Sequence, residues 1–247
     1  MGEAILKGFL KANIPAQDIT VQETYQPQAE HIGATYHTHL GIDTDADIVV
    51  LAVKPQQIGN VDFAQFPKSA LFFSIMAGIT IARLEALSGS QNIIRSMPNL
   101  PLSVGRGVIG YVKYTDDDQE KTDLLVNAFS QIGKVIRLAN EDQIDHISTI
   151  SWSGPAYFYY LTDILRQEAQ KIWFSEEDAI VMAQETFVGA AMLLDQSGLS
   201  AAQLQSNVAS KWWSTQAALD TMKAQGIETA VQNGLKSAYQ RAKELNG

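Results

Sequence analysis

The chain has 247 residues, long enough for a sizeable core and, at ordinary domain sizes, for two modest domains. Its formal charge of −9 argues against general affinity for nucleic acid or an anionic membrane surface, both of which select a basic face. It has no cysteine, which excludes disulfides, thiol catalysis and Cys-based metal sites and fits a cytoplasmic location.

No run approaches the roughly eighteen apolar residues of a membrane span. The first residues, Met1 to Lys7, include an acid and lack the basic stretch of a secretory signal. Residues 2–12 read as an amphipathic helix, with Ile5, Leu6 and Leu10 on one side. Asp18 to Glu23 alternates like a short strand ending on an acid, and Pro27 to Ile32 suggests a second short helix. Asp47 to Val53 is a continuous β-branched run, the mark of a strand buried on both faces, and Lys54-Pro55 ends it.

A second buried strand, Ala70 to Ile75, leads through Met76-Ala77-Gly78 into a helix over Thr80 to Leu87 that closes on Gly89. Asn92 to Arg95 and Gly107 to Val112 read as further strands. Alternating strands and helices point to an open parallel sheet with helices on both faces. From Asp117 the pattern turns nearly all helical, over 117–131, 140–172, 175–196, 200–207, 215–224 and 227–245. The shift near Leu138 divides the chain into an α/β domain, 1–138, and a helical domain, 139–247. The long apolar faces around Pro155 need a partner surface, which is either an intrachain core or an intertwined dimer.

The motif Gly105-Arg106-Gly107-Val108-Ile109-Gly110 matches the spacing of a dinucleotide fingerprint, but it runs into a strand instead of opening a helix. Its glycines read as turn and close-packing residues. A better dinucleotide signal is Gly2, which opens a helix about twenty residues before the strand-ending acid Glu23, the separation at which an acid meets an adenine ribose. Lys54 and Asn99 end strands at the sheet's carboxyl edge, where open α/β sheets bind ligands. The four histidines form no zinc pattern, and no metal site is expected. Ser151, Ser153 and Ser214 lie outside any nucleophile elbow. Asp116-Asp117-Asp118 reads as a solvated helix cap.

In Ser210-Lys211-Trp212-Trp213-Ser214-Thr215, either late hydroxyl can N-cap the helix that follows. A helix N-terminus cradles a carboxylate, and the two tryptophans beside it are either a stacking platform or a plug.

Several stretches together resemble pyrroline-5-carboxylate reductase. They are Ala46-Asp47-Ile48-Val49-Val50-Leu51-Ala52-Val53-Lys54-Pro55-Gln56, Ser74-Ile75-Met76-Ala77-Gly78, Arg95-Ser96-Met97-Pro98-Asn99 and Ser153-Gly154-Pro155-Ala156-Tyr157, with Asn207, Ser210, Thr215 and Ala217-Ala218-Leu219 in order behind them. The resemblance runs from Met1 to Gly247. It implies a Rossmann-like domain for NADP or NAD, lacking its first strand, followed by an all-helical domain that interlocks two subunits as a homodimer or a ring of dimers. It also implies reduction of 1-pyrroline-5-carboxylate to L-proline.

By that resemblance Gly2, Glu23, Ala52, Val53, Lys54, Pro55, Ile75, Met76, Ala77 and Asn207 contact the cofactor. Glu141, Ser210, Ser214 and Thr215 hold the substrate, and Thr215 is the hydrogen-bond partner of the ring nitrogen. Three departures stand out. Met1-Gly2 aligns with the tail of the family's glycine-rich loop, so Gly2 is its third glycine. Trp152, Trp173, Trp212 and Trp213 stand where the family carries glycine, and Leu100 stands where it carries threonine. A catalytically inactive homologue, kept as a dimeric scaffold or representing a truncated or altered product, is the alternative that these departures motivate.

Overall fold

The computed structural model describes residues 1–23, the backbone of 35–37, and residues 45–115, 118–209 and 214–245. The short helix expected at Pro27 to Ile32, and Ser210, Trp212 and Trp213, lie outside the described residues. Among the described residues, seven strands and nine helices form two compact units, Met1–Ser153 with Ala238–Gly247, and Gly154–Ser237.

The first unit opens with α1 (Gly2–Lys11), then β1 (Thr20–Gln22) and β2 (Thr35–His37), which pair in parallel as a small sheet. β3 (Ile48–Leu51), β4 (Leu71–Ser74), β5 (Ile93–Pro98), β6 (Gly107–Lys113) and β7 (Gly133–Arg137) form the main sheet in that order. Helices α2 (Ile81–Ser88), α3 (Gln119–Ser130) and α4 (Glu141–Ile147) complete its layers.

Strand β4 shows why the sheet forms a middle layer. All four of its residues are buried, and successive side chains point to opposite faces. Phe72 joins Leu84 of α2 and Ile144 of α4 on one face, while Leu71 and Phe73 meet Ile5 of α1 and Phe129 of α3 on the other. The Phe73 and Phe129 rings stack with centroids 4.8 Å apart.

The sheet is parallel-dominated, as expected, with one reversal: β6 runs antiparallel to β5. Strand β7 is not expected from the sequence pattern. The fingerprint-like glycines do what the sequence suggested. Gly105 takes a left-handed turn at φ 77°, and a Cβ on Gly107 would fall 2.2 Å from Leu102 Cγ.

The second unit is helical throughout: α5 (Gly154–Lys171), α6 (Glu176–Gln196), α7 (Ala201–Val208), α8 (Ser214–Ala224) and the first part of α9 (Ile227–Leu245). α5 packs on α6, and the rings of Phe158 and Phe187 stack at 5.6 Å. Ser175 and Ser200 cap α6 and α7 with side-chain hydrogen bonds, and Ser200 adds a reciprocal box with Gln203. Among the described residues, no helix is long and apolar enough to cross a membrane.

Candidate active site

Two adjacent parallel strands of the first unit end side by side. The Ile75 N–H donates to the Leu51 carbonyl at 3.2 Å, which keeps β3 and β4 in step to their carboxyl ends. Beyond those ends the chain leaves the sheet as Ala52-Val53-Lys54, all exposed, and as Ile75-Met76-Ala77-Gly78. Pro55 then starts a 3₁₀ turn over Pro55–Asn60, where its missing N–H costs nothing.

Helix α1 begins beside this edge. A Cβ on Gly2 would lie 3.5 Å from the Ala52 Cβ, so the first turn of α1 rests on the end of β3. Met1 occupies the N-cap position without a side-chain hydrogen bond. The first-turn N–H groups of α1 therefore remain available, with about half a positive charge, to an anionic group. Exposed backbone at two strand ends beside such a helix start fits the diphosphate and ribose of a dinucleotide.

The expected cofactor residues fill this edge unequally. Gly2, Ala52, Val53, Lys54 and Pro55 meet it as described, and Ile75 and Ala77 are half-buried in the neighbouring loop. Met76 differs, because its side chain belongs to the core and its N–H donates to Ser74 Oγ at 3.3 Å. Glu23 follows β1 and is exposed. Asn99 is committed elsewhere: its amide donates to the Ser151 carbonyl at 3.0 Å and accepts from the Val108 N–H at 2.8 Å. It ties β5 to β6 and to the turn after α4.

Glu141 was expected to hold the substrate. In the folded chain its Oε1 accepts from the Arg95 guanidinium at 2.8 Å and from the Ile81 N–H, the first residue of α2, at 3.0 Å. Arg95 is 1% exposed on the strand β5, and Asp145 supplies a second carboxylate to it at 3.4 Å. A guanidinium at such depth requires partners, so Glu141 serves as a clasp between sheet, α2 and α4. Arg95 and Asp145 carry no motif for this role. The signal was present as one basic residue inside an apolar strand, and acids at positions 141, 142 and 145 of one short helix.

Those acids also receive the end of α9, whose residues from Ala238 onward belong to the first unit. The Tyr239 hydroxyl donates to Asp142 Oδ1 at 2.8 Å, and the Lys243 ammonium donates to the same oxygen. Lys243 also lies 3.6 Å from Asp145, and the His146 ring stacks on Tyr239 at 4.1 Å. The hydrogen bonds from Lys243 and then from Tyr239 hold the Asp142 carboxyl below its usual range, and Asp142 in turn raises both partners.

In the second unit, Asn207 is exposed on the last turn of α7. Helix α8 starts at Ser214, so Ser214 and Thr215 occupy its first turn, and its N-cap lies outside the described residues. Both residues have first-turn N–H groups with no acceptor inside the helix. Of the two described tryptophans, Trp173 has φ 77°, a glycine-like conformation, whereas Trp152 lies in a π-helical turn over Ser148–Trp152.

Comparison with known proteins bears on both units. Residues 141–245 match the family described as pyrroline-5-carboxylate reductase dimerisation. Residues 1–78 match the family described as NADP oxidoreductase, coenzyme F420-dependent. Pyrroline-5-carboxylate reductase of Pseudomonas aeruginosa is 31% identical, over 99% of this chain and 93% of its own length. The enzyme of Mycobacterium tuberculosis is also 31% identical with the same coverage.

Among solved structures, a pyrroline-5-carboxylate reductase from Coxiella burnetii superposes with a TM-score of 0.88 at 28% identity, covering 100% of this chain and 95% of that one. A pyrroline carboxylate reductase from Plasmodium falciparum with NADP bound superposes at 0.83 with 25% identity and the same coverage. The fold is thus a Rossmann-like domain followed by a helical domain of the dimerisation type, in an NADP-dependent class of oxidoreductases. The chain belongs to the pyrroline-5-carboxylate reductase family.

Proposed function

We propose that this chain reduces 1-pyrroline-5-carboxylate to L-proline with NADPH or NADH, as a homodimer in the cytoplasm that assembles further into a ring. The observation that carries the reading is the exposed carboxyl edge at Ala52–Lys54 and Ile75–Ala77, in a chain whose relatives bear that name over nearly their whole length.

When bound, the reduced nicotinamide supplies the hydride that goes to the imine carbon. The ring nitrogen takes a proton, which balances the reduction. The protein's share is orientation, because a protonated cyclic imine is already electrophilic. Gly2, Glu23, Ala52 to Pro55, Ile75 to Ala77 and Asn207 hold the dinucleotide in this reading. The hydroxyls of Ser210 and Ser214 and the first-turn N–H groups of α8 hold the substrate carboxylate. The Thr215 hydroxyl is the partner of the ring nitrogen. Glu141 joins the substrate contacts in this reading, while its Oε1 also serves Arg95 and α2.

The test is oxidation of NADPH by the purified chain with and without pyrroline-5-carboxylate, with proline measured as product. Turnover that needs the imine supports the proposal. A folded dimer that binds NADPH yet makes no proline overturns it and favours the scaffold reading.

A further inference from the structure

The short helix α4 presents three acids to three different elements. Glu141 clasps Arg95 of β5 and the first N–H of α2. Asp145 reaches Arg95 and Lys243. Asp142 takes the Tyr239 hydroxyl and the Lys243 ammonium from α9, with His146 stacked beneath Tyr239. The C-terminal turns of α9 are thus fixed to the same rigid group that fixes the start of α2.

The chain between β4 and α2 is the loop Ile75–Thr80, and its glycine touches the far end of α9. A Cβ on Gly78 would lie 2.7 Å from the Leu245 carbonyl oxygen, closer than any side chain tolerates. Gly78 also has φ 76°, so both the turn and the approach of Leu245 require glycine there. The loop is held at one end by Glu141 and pressed at its middle by the helix end that Asp142 anchors.

We propose that the end of α9 is a positioning latch for the Ile75–Gly78 loop. Docking of Tyr239 and Lys243 on Asp142 seats Leu245 against Gly78 and sets the loop in the shape that takes the dinucleotide. Tyr239, Lys243 and Asp142 act through the loop and touch neither cofactor nor substrate. The inference rests on the reading that this loop contacts the dinucleotide.

The test compares the full-length wild type with Lys243→Met, Tyr239→Phe, their double variant and Lys243→Arg. Hydrogen exchange of the amides at positions 75–80 reports on the latch without any ligand. NADPH titration and steady-state kinetics report on its consequence. The double variant should exchange faster at 75–80 and lose about tenfold in NADPH affinity, within the reach of such couplings. Its KM for pyrroline-5-carboxylate should stay near the wild-type value, and Lys243→Arg should restore both signals.

Unchanged exchange at 75–80 in the double variant overturns the latch. Faster exchange with unchanged NADPH affinity overturns its role in cofactor binding. If the wild type itself binds no NADPH, the functional reading fails instead, and the exchange data alone still decide whether α9 restrains the loop.

Discussion

The two units bury their apolar residues to very different degrees. In the first, both faces of the main sheet are covered, and strands β4 and β5 are buried along their whole length. In the second, the residues buried within the helices are Gly154, Ala169, Ala179 and Ala183, all small. Large side chains such as Tyr160, Leu165, Val181, Met192 and Leu193 lie half or more exposed. A sheet with helices on both faces closes its own core from one chain. A pair of long helices with apolar residues on several sides does not, and requires another surface. The first unit closes the core of its main sheet within one chain, and the second leaves apolar helix surface that calls for a partner.

The largest expected effect follows from the open half. Leu165→Glu with Met192→Glu places charges on the apolar surface of α5 and α6, which in a dimer lose water without gaining partners. The loss should be several kcal/mol, enough to convert dimer to monomer or aggregate in sedimentation, while the first unit keeps its cooperative structure. A fully dimeric double variant would place the partner surface elsewhere.

Next in size is the buried clasp of the closed half. Arg95→Met leaves the Asp145 carboxylate, itself 6% exposed, without its guanidinium. Breaking such a pair costs about 3–5 kcal/mol, which chemical denaturation should register in the first unit. A loss near zero would mean that Arg95 is a spectator of the packing.

Trp173→Gly should act in the opposite direction. Trp173 is 96% exposed at φ 77°, so removing its side chain forfeits almost no packing and relieves a backbone shape that favours glycine. A gain of about 1 kcal/mol, seen as a higher Tm, is expected.

The smallest effect is that of pH on the docked end of α9. Asp142 is held below the ordinary aspartate value of 3.8 by Lys243 and then Tyr239, so its contribution is complete above that value. It is lost as pH falls through the lowered folded value. Lys243 is shifted upward from 10.5, so its share is complete below 10.5 and fades only at still higher pH. The groups facing this pair are Tyr239 from α9, and Asp145 and His146 from α4. Limited proteolysis of the C-terminal residues should quicken on acidification below about 4. Equal cleavage at pH 3 and pH 7 would show that the ion pair contributes nothing to docking.

Local patterns carried most of the fold. The helices of the second half follow from their periodicity, and β3 and β4 follow from continuous apolar runs bounded by Pro55 and Gly78. Strand β7 escaped because Gly133-Lys134-Val135-Ile136-Arg137 is a half-exposed edge strand with only two β-branched residues. The antiparallel pairing of β6 with β5 does have a local trace, because the residues between Pro98 and Gly107 are too few for a parallel crossover.

The site divides in the same way. The strand ends at Ala52–Pro55 and Ile75–Ala77 could be marked from pattern and resemblance. The partners of Glu141 and Asp142 stand 46 and 101 positions away in the chain, at Arg95 and Lys243, beyond the reach of any periodicity. The bond from the Arg95 guanidinium to Glu141 joins two elements that no local pattern relates, so it becomes visible only in the folded chain.

The turn at Trp173 carries a consequence for the message as well as for the fold. Its backbone suits a residue without a side chain, whereas Trp152, which the resemblance also sets at a glycine position, has no positive φ. Where a fold asks for glycine and the codon is read as tryptophan, the decoding of that codon becomes a measurable property. Tandem mass spectrometry of the peptide spanning Lys171 to Phe174, taken from the protein made in its own host, reads which residue the ribosome inserts there.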